Sequence, residues 1–282
     1  MRDVIGGIVT FNPDIDRLRE NIDAIKEQVD EIVVVDNDSN NIHEIMQLSN
    51  EYDFELVKLS SNYGIAYALN IILKNAKLKK KNWVLALDQD SVCEKGLVDK
   101  YLKYKELPDT GMLTCNIKDR NYIYYNEGSS EKSYSEIKYC ITAASFMNVE
   151  AYNSGCIYDE EMFIDKVDFD MCLQLREHGF KIYKINFNGL LQEVGDGKTV
   201  RIGPFSTVIY NHSPLRRYYM TRNGIYLARK HKEKSLVASI YRELRDMFIV
   251  LIFEKDKIEK LKSSLKGFSD GLKIAGLIRV EF

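Results

Sequence analysis

From Val4 to Asp90 the chain alternates between two hydrophobic patterns. Val4 to Thr10, Glu31 to Asp36, Phe54 to Leu59 and Trp83 to Asp88 are short, nearly continuous apolar runs. Runs of that length and density read as strands buried on both faces. Between them, apolar residues recur at three- and four-residue spacing: Ile15, Leu18, Ile22, Ile25 and Val29, then a weaker set from Ile42 to Ser49, then Ile65, Leu69, Ile72, Leu73 and Ala76. That spacing predicts helices with one apolar face. Asn12-Pro13 supplies a start signal for the first, with Asn12 as N-cap and Pro13 at the first helical position. Strands alternating with helices imply a mostly parallel sheet built from right-handed crossovers and flanked by helices, an α/β fold.

After Asp90 the rhythm changes. A helix is predicted near Glu94 to Lys105, followed by strands at Gly111 to Ile117 and Ile141 to Val149. Residues 119–139, polar and tyrosine-rich, read as a hairpin or lid. The acidic run Asp165-Lys166-Val167-Asp168-Phe169-Asp170 enters a helix that Gly179 ends, and Phe180 to Phe187 reads as another strand. Gly195, Gly197 and Gly203, following Gly189, suggest a mobile segment. His212-Ser213-Pro214 opens a helix. From Ser235 onward Leu236, Ile240, Leu244, Phe248 and Leu251 form one stripe. A lysine-rich helical segment with Lys255, Lys257, Lys260, Lys262 and Lys266 follows. The expected organisation is one domain over residues 1–232, in two parts at 1–92 and 93–232. Residues 233–282 form an amphipathic helical extension.

The whole-chain numbers narrow the choice of function. The chain has 282 residues, 45% of them hydrophobic, enough for a substantial core. Its net charge of −2 gives no global reason to expect nucleic acid as a partner. Five cysteines without a C-x-x-C pair favour buried thiols in a reducing cytosol over disulfides or zinc. Met1 leads directly into a strand-like run without a secretory signal. The longest uncharged apolar run, Met247 to Phe253, is far short of the roughly 20 residues of a membrane span. A cytoplasmic protein is expected.

The strand Trp83 to Asp88 carries the clearest chemistry. It ends in Asp88-Gln89-Asp90, two carboxylates one residue apart where the strand leaves the sheet. Ligands of open α/β sheets bind at those carboxyl ends. Two hard oxygen donors there suit Mg²⁺ or Mn²⁺ carrying a diphosphate. Asp-x-Asp is also ordinary turn chemistry. The loop after the first strand, Thr10-Phe11-Asn12-Pro13, is not a G-x-G-x-x-G fingerprint, and no G-x-x-x-x-G-K-[ST] loop occurs.

Taken in order, Thr10-Phe11-Asn12, Val35-Asp36-Asn37, Asn62-x-Gly64-x-Ala66-x-Ala68-x-Asn70, Asp88-Gln89-Asp90 and Phe163-Ile164-Asp165-x-Val167-Asp168-x-Asp170-x-Cys172 resemble the GT-A-fold family 2 glycosyltransferases. Leu87-Asp88-Gln89-Asp90-Ser91 and His212-Ser213-Pro214-x-x-Arg217-Tyr218-Tyr219-x-x-Arg222-Asn223 are similar to the bacterial rhamnosyltransferase branch. The resemblance covers roughly residues 4–224 and implies a catalytic domain over 1–232, with a nucleotide-binding half at 1–92 and an acceptor half at 93–232. It implies an inverting, metal-dependent transferase that moves a sugar, rhamnose from dTDP-rhamnose, to an acceptor hydroxyl in cell-surface polysaccharide synthesis. It implies nucleotide-sugar contacts at Thr10, Phe11, Asn12, Asp36, Asn62, Gly64, Asn70, Asp88 and Gln89, with Asp36 accepting from the pyrimidine base. It further implies metal contacts at Asp88, Asp90 and His212, with Asp168 as the general base.

The residues themselves leave rivals open. Asp36 can simply cap the next helix. Asp165 competes with Asp168 for the base, and Asp170 can serve only the helix N-terminus. His212 can be an ordinary loop residue. A sugar-nucleotide pyrophosphorylase would also use a nucleotide-binding α/β domain, and a protein with a dead site would bind the nucleotide sugar without turnover. The acceptor is expected to be a glycan or lipid-linked glycan. The tail is expected to dock on the inner face of the cell membrane, or else to pack on the catalytic domain or on a second subunit as a homodimer.

Overall fold

The computed structural model describes residues 2–119, 132–192, 197–202 and 205–274. Most of the expected lid, together with Gly195 and Gly203, lies outside these residues. The chain divides into two compact units: residues 1–161 with 167–194, and residues 162–166 with 195–282.

The first unit begins with β1 (Val4–Thr10), α1 (Ile15–Ile25), β2 (Glu31–Asp36), α2 (Ile42–Tyr52), β3 (Glu55–Lys58), α3 (Ile65–Leu78) and β4 (Trp83–Asp88). It continues through β5 (Val92–Cys93), α4 (Leu97–Leu102), β6 (Thr110–Asp119), β7 (Tyr134–Ile137), β8 (Ser145–Asn148), α5 (Val149–Asn153), α6 (Val167–Glu177) and β9 (Lys181–Gln192). Among the described residues these strands make one sheet in the order β3-β2-β1-β4-β8-β6-β9-β5, with β7 also on β9. Strands β1, β2, β3, β4, β6 and β9 run one way. β8 is antiparallel to both its neighbours, and β5 and β7 are antiparallel to β9. The sheet is thus mostly parallel, as the alternation predicts.

Two glycines inside β1 have a packing reason. A Cβ at Gly6 would press on Ile25 and Val29, and one at Gly7 on Ile72. Neighbouring strand residues face opposite sides of the sheet. Gly6 therefore lets α1 approach one face, and Gly7 lets α3 approach the other. The core follows: Leu18, Ile22 and Ile25 from α1 and Leu69, Ile72 and Leu73 from α3 are buried against apolar strands. Phe146 stacks on Trp83 with ring centroids 4.8 Å apart.

The expected start of α1 shifts. Its N-cap is Asp14, which accepts from the Asp16 and Arg17 amides. Asn12 sits instead at φ 48°, and its side chain accepts from the Asn40 amide at 2.8 Å. A tertiary bond to the loop after β2 outcompetes the local cap.

The second unit holds the β10 (Lys198–Ile202) and β11 (Phe205–Ile209) hairpin and three helices, α7 (Pro214–Lys230), α8 (Leu236–Phe253) and α9 (Lys257–Lys273). Ser213 caps α7, accepting from the Arg216 amide, with Pro214 in the first turn. Helix α9 lies against α7 through Gly267 and Gly271, where any Cβ would strike the carbonyls of Tyr218 and Arg222. Helix α8 is inverted relative to an ordinary surface helix. Its buried positions include Ser239 and Glu243 beside Met247 and Val250, while Val237, Tyr241, Leu244 and Phe248 are exposed.

Candidate active site

Register alone assembles the first part of the site. Thr10 lies opposite Asp36 across the β1–β2 pair, and Val9 opposite Asp88 across β1–β4. The sheet order turns at β1 and β4, so their carboxyl ends flank the crevice where open α/β sheets bind ligands. Asp36 is buried and serves as the hub of the loop after β2. Its Oδ1 accepts from Thr10 Oγ1 at 2.8 Å and from Ser39 Oγ, and its Oδ2 accepts from the Ser39 amide at 2.9 Å. Ser39 Oγ in turn accepts from the Asn12 amide at 2.8 Å. Asp36 does not cap α2, whose N-cap is Asn41; its bonds to Ser39 close the loop after β2, and the bond to Thr10 ties that loop to β1. Gln89 Oε1 accepts from the Phe11 amide at 2.9 Å and ties the β4 loop to the β1 loop.

Asp88 is placed by two residues that its local sequence does not announce. Asn21 Nδ2 donates to its backbone carbonyl at 2.7 Å, and Gln192 Nε2 donates to its Oδ2 at 2.6 Å. Burial pushes the Asp88 carboxyl up to about 6, and the charges of Asp90 and Asp168 push in the same direction, against the Gln192 hydrogen bond. The charges of Asp90 and Asp168 thus both disfavour ionisation of Asp88. A divalent cation would relieve that repulsion, and two carboxylates with phosphate oxygens are the donor set Mg²⁺ or Mn²⁺ takes. Among the described residues no three His, Cys, Asp or Glu side chains are grouped to hold a metal. The fit is to an ion that brings phosphate ligands with it.

The acidic run resolves residue by residue. Asp168 is half-buried in the first turn of α6, where its Oδ1 accepts from the Phe169 amide at 2.9 Å. Asp170 is fully buried and accepts from Gln174 Nε2 at 2.6 Å. In the second unit Asp165 has φ 65° and takes a forked contact from Arg216, Nη2 to Oδ1 at 3.2 Å. Asn223 Nδ2 donates to the carbonyls of Ile164 and Asp165 at 2.7 and 2.9 Å.

The remaining expected residues have these positions. Asn62 Oδ1 accepts from the Gly64 amide at 3.0 Å, and Gly64, at φ 87°, opens α3. Asn70 is buried and clamps the segment ahead of α6: it donates to Tyr158 O and Glu160 Oε1 and accepts from the Tyr158 amide. His212, in the second unit, is half-buried and stacks on Tyr210 with centroids 5.6 Å apart. Burial lowers its basicity, and Arg216 and Arg217 lower it further against Asp165 and Glu254. A neutral imidazole is the form that binds metals.

A mostly parallel sheet with a carboxylate pair at the end of β4 is the arrangement expected of a GT-A-type sugar transferase. The profile of Glycosyl transferase family 2 matches residues 7–162, and the chain belongs to that family. It is 29% identical over 285 residues to the dTDP-rhamnosyl transferase RfbF of Shigella flexneri, covering 94% of each chain. Among solved structures it resembles Staphylococcus aureus TarS 1–349 in complex with UDP-GlcNAc, with a TM-score of 0.64 and 14% identity over 96% of this chain and 80% of that one. It spans 48% of a longer TarS chain. The mannosyltransferase PcManGT of Pyrobaculum calidifontis, in complex with GDP-Man and Mn²⁺, aligns at a TM-score of 0.59 with 16% identity, over 98% of this chain and 76% of that one. Family membership sets aside the pyrophosphorylase expectation.

Proposed function

We propose that the chain is an inverting, metal-dependent transferase moving rhamnose from dTDP-rhamnose to a glycan or lipid-linked glycan hydroxyl in cell-surface polysaccharide synthesis. The observation that carries this is the carboxylate pair Asp88 and Asp90 at the end of β4, read beside the RfbF relative. Asp36 and the Thr10-Phe11-Asn12 loop receive the nucleotide. Asn62, Gly64, Asn70 and Gln89 shape the surrounding backbone. Asp88 and Asp90 hold Mg²⁺ or Mn²⁺, with His212 as a further ligand of the metal or diphosphate. The bound ion would neutralise charge on the departing diphosphate. Asp168 takes the acceptor hydroxyl's proton as that oxygen bonds to the anomeric carbon. The bond from the anomeric carbon to the phosphate oxygen breaks with its electron pair leaving on dTDP, so one displacement inverts the centre. Asp165 and Asp170 are less suited to this role, since Arg216 neutralises the first and the second is sealed against Gln174.

The test is a donor panel. Purified enzyme given dTDP-rhamnose, UDP-GlcNAc or GDP-mannose is expected to turn over only the first, to stop with EDTA and to recover with Mn²⁺ or Mg²⁺. Preference for another donor overturns the rhamnose assignment, and full activity after chelation overturns the metal. No turnover of any donor, with nucleotide binding intact, would return the dead-site reading.

We also propose that the protein works at the inner face of the cell membrane through α8 and α9. Among the described residues no helix is long and apolar enough to cross a membrane. Yet Tyr241 is 71%, Phe248 59%, Ile258 68% and Leu265 53% exposed. Lys262, Lys266 and Lys273 are exposed on α9. Apolar side chains with interleaved lysines match an anionic lipid surface, each lysine adding about 1 kcal/mol near it. Glu259 and Asp256 oppose that attraction, so binding is expected to weaken with salt. Flotation should carry the protein with phosphatidylserine vesicles at low salt, and Phe248→Asp with Leu265→Asp should abolish this. A double variant that leaves flotation unchanged, or converts a dimer to a monomer, assigns the face elsewhere.

A further inference from the structure

We infer that the corner between α8 and α9 is a positioning element for the diphosphate end of the donor: the buried pair Glu254 and Lys260 clamps the exposed Asn211 and so sets His212. This rests on the proposed role of His212 and extends it to residues far along the chain.

His212 is held between two fixed points. On its C-terminal side Ser213 is the N-cap of α7, its Oγ accepting from the Arg216 amide at 3.2 Å. On its N-terminal side Asn211 has φ 50°, a left-handed conformation uncommon for a residue with a Cβ. That conformation is secured by the α8–α9 corner. Asn211 Oδ1 accepts from Lys260 Nζ at 2.6 Å and from the Lys255 amide at 3.1 Å. Lys260 is 1% exposed, and its second acceptor is Glu254 Oε2 at 3.0 Å. Glu254, equally sealed, turns its other oxygen to Arg217 in the first helical turns after His212.

Burying an ammonium is costly unless it is paired and hydrogen-bonded. Stability alone is a poor reason to keep such a cluster, because well-packed apolar residues often replace buried ion pairs without loss. What apolar replacements could not do is pin one amide oxygen beside a left-handed backbone. The clamp also brings Arg217 and Lys260 close to the proposed diphosphate ligand. The helical extension, on this view, shapes the loop that carries His212.

The test uses the full-length protein with Asn211→Gly, Asn211→Asp, Lys260→Met and His212→Ala. Glycine keeps the left-handed φ and removes the acceptor, while aspartate keeps an acceptor for Lys260. In ligand-free protein, Asn211→Gly and Lys260→Met are expected to speed amide hydrogen exchange at residues 211–213. In turnover they should raise the Mn²⁺ concentration for half-activation about 10-fold, the scale of losing a partner that orients a metal ligand, without changing acceptor KM. Asn211→Asp should restore both readouts, and the Asn211→Gly effect should vanish in a His212→Ala background. Normal exchange and metal response in Asn211→Gly and Lys260→Met, or no recovery in Asn211→Asp, overturns the clamp. A normal metal response in His212→Ala overturns the reading of His212 itself, so the two failures separate.

Discussion

Replacing Asp168 with Asn is expected to lower turnover by about 100-fold or more while leaving nucleotide affinity in place. The scale is that of removing one acid–base group, and it corresponds to roughly 3 kcal/mol in the barrier. Asparagine keeps the side-chain oxygen that receives the Phe169 amide, so the start of α6 should hold. What is lost is the ability to take a proton. Calorimetric titration with dTDP and single-turnover rates with the donor would separate binding from chemistry. Asp165→Asn is the informative control, because it removes the partner of Arg216 without touching α6. Undiminished turnover in Asp168→Asn would move the base to Asp165 or Asp170.

Glu243→Gln is expected to stabilise the second unit at pH 8 and to do almost nothing near pH 4. Glu243 is 5% exposed on α8, seated where Gly224 of α7 leaves room for it. Burial pushes its carboxyl from 4.5 up to about 7, helped by Asp246 and opposed by Lys166, Arg242 and the Thr221 hydroxyl. Arg242 Nε stands 3.7 Å from Oε1, so desolvation outweighs a nearby cation. The sign follows from linkage. The folded state keeps a proton that the unfolded chain releases, so stability is greatest below the unfolded pKa and falls as pH rises through about 7. A shift of that size is worth about 3 kcal/mol, since one unit is ~1.4 kcal/mol. Urea unfolding of both proteins from pH 4 to 8 gives the difference curve. A flat difference would show that Glu243 stays ionised in its pocket.

The strands and helices up to Asp90 are legible because their rules are local. Five apolar residues ending in Asp88 can hardly be anything but a buried strand, and periodic apolar spacing marked α1 and α3. Parallel strands place their carboxyl ends together, which sets Asp88 at the ligand edge of the sheet; Thr10 and Asp36 are tied to the same site in sequence only by the family resemblance. The start of α1 was misplaced because Asn12 finds a partner in Asn40, 28 residues away, and no local pattern carries that bond. Gln192 carries no local signal for the same reason: it meets Asp88 across 104 residues, at the far end of β9.

The tail shows the same division. Its helical periodicity was plain, and α8 and α9 fall where the spacing put them. The sequence by itself determined the main helices, the alternation of strand and helix up to Asp90 and the carboxylates at the end of β4, since propensity and periodicity act over a few residues. Only the tertiary structure decided which face of α8 is buried, where Glu243 and Ser239 lie inside and Phe248 outside. It also decided that Lys260 closes on Asn211 and Glu254. Those outcomes depend on which side chains find hydrogen-bond partners after the chain returns on itself, and the energy of burying a charge is set by that partner rather than by its neighbours in sequence.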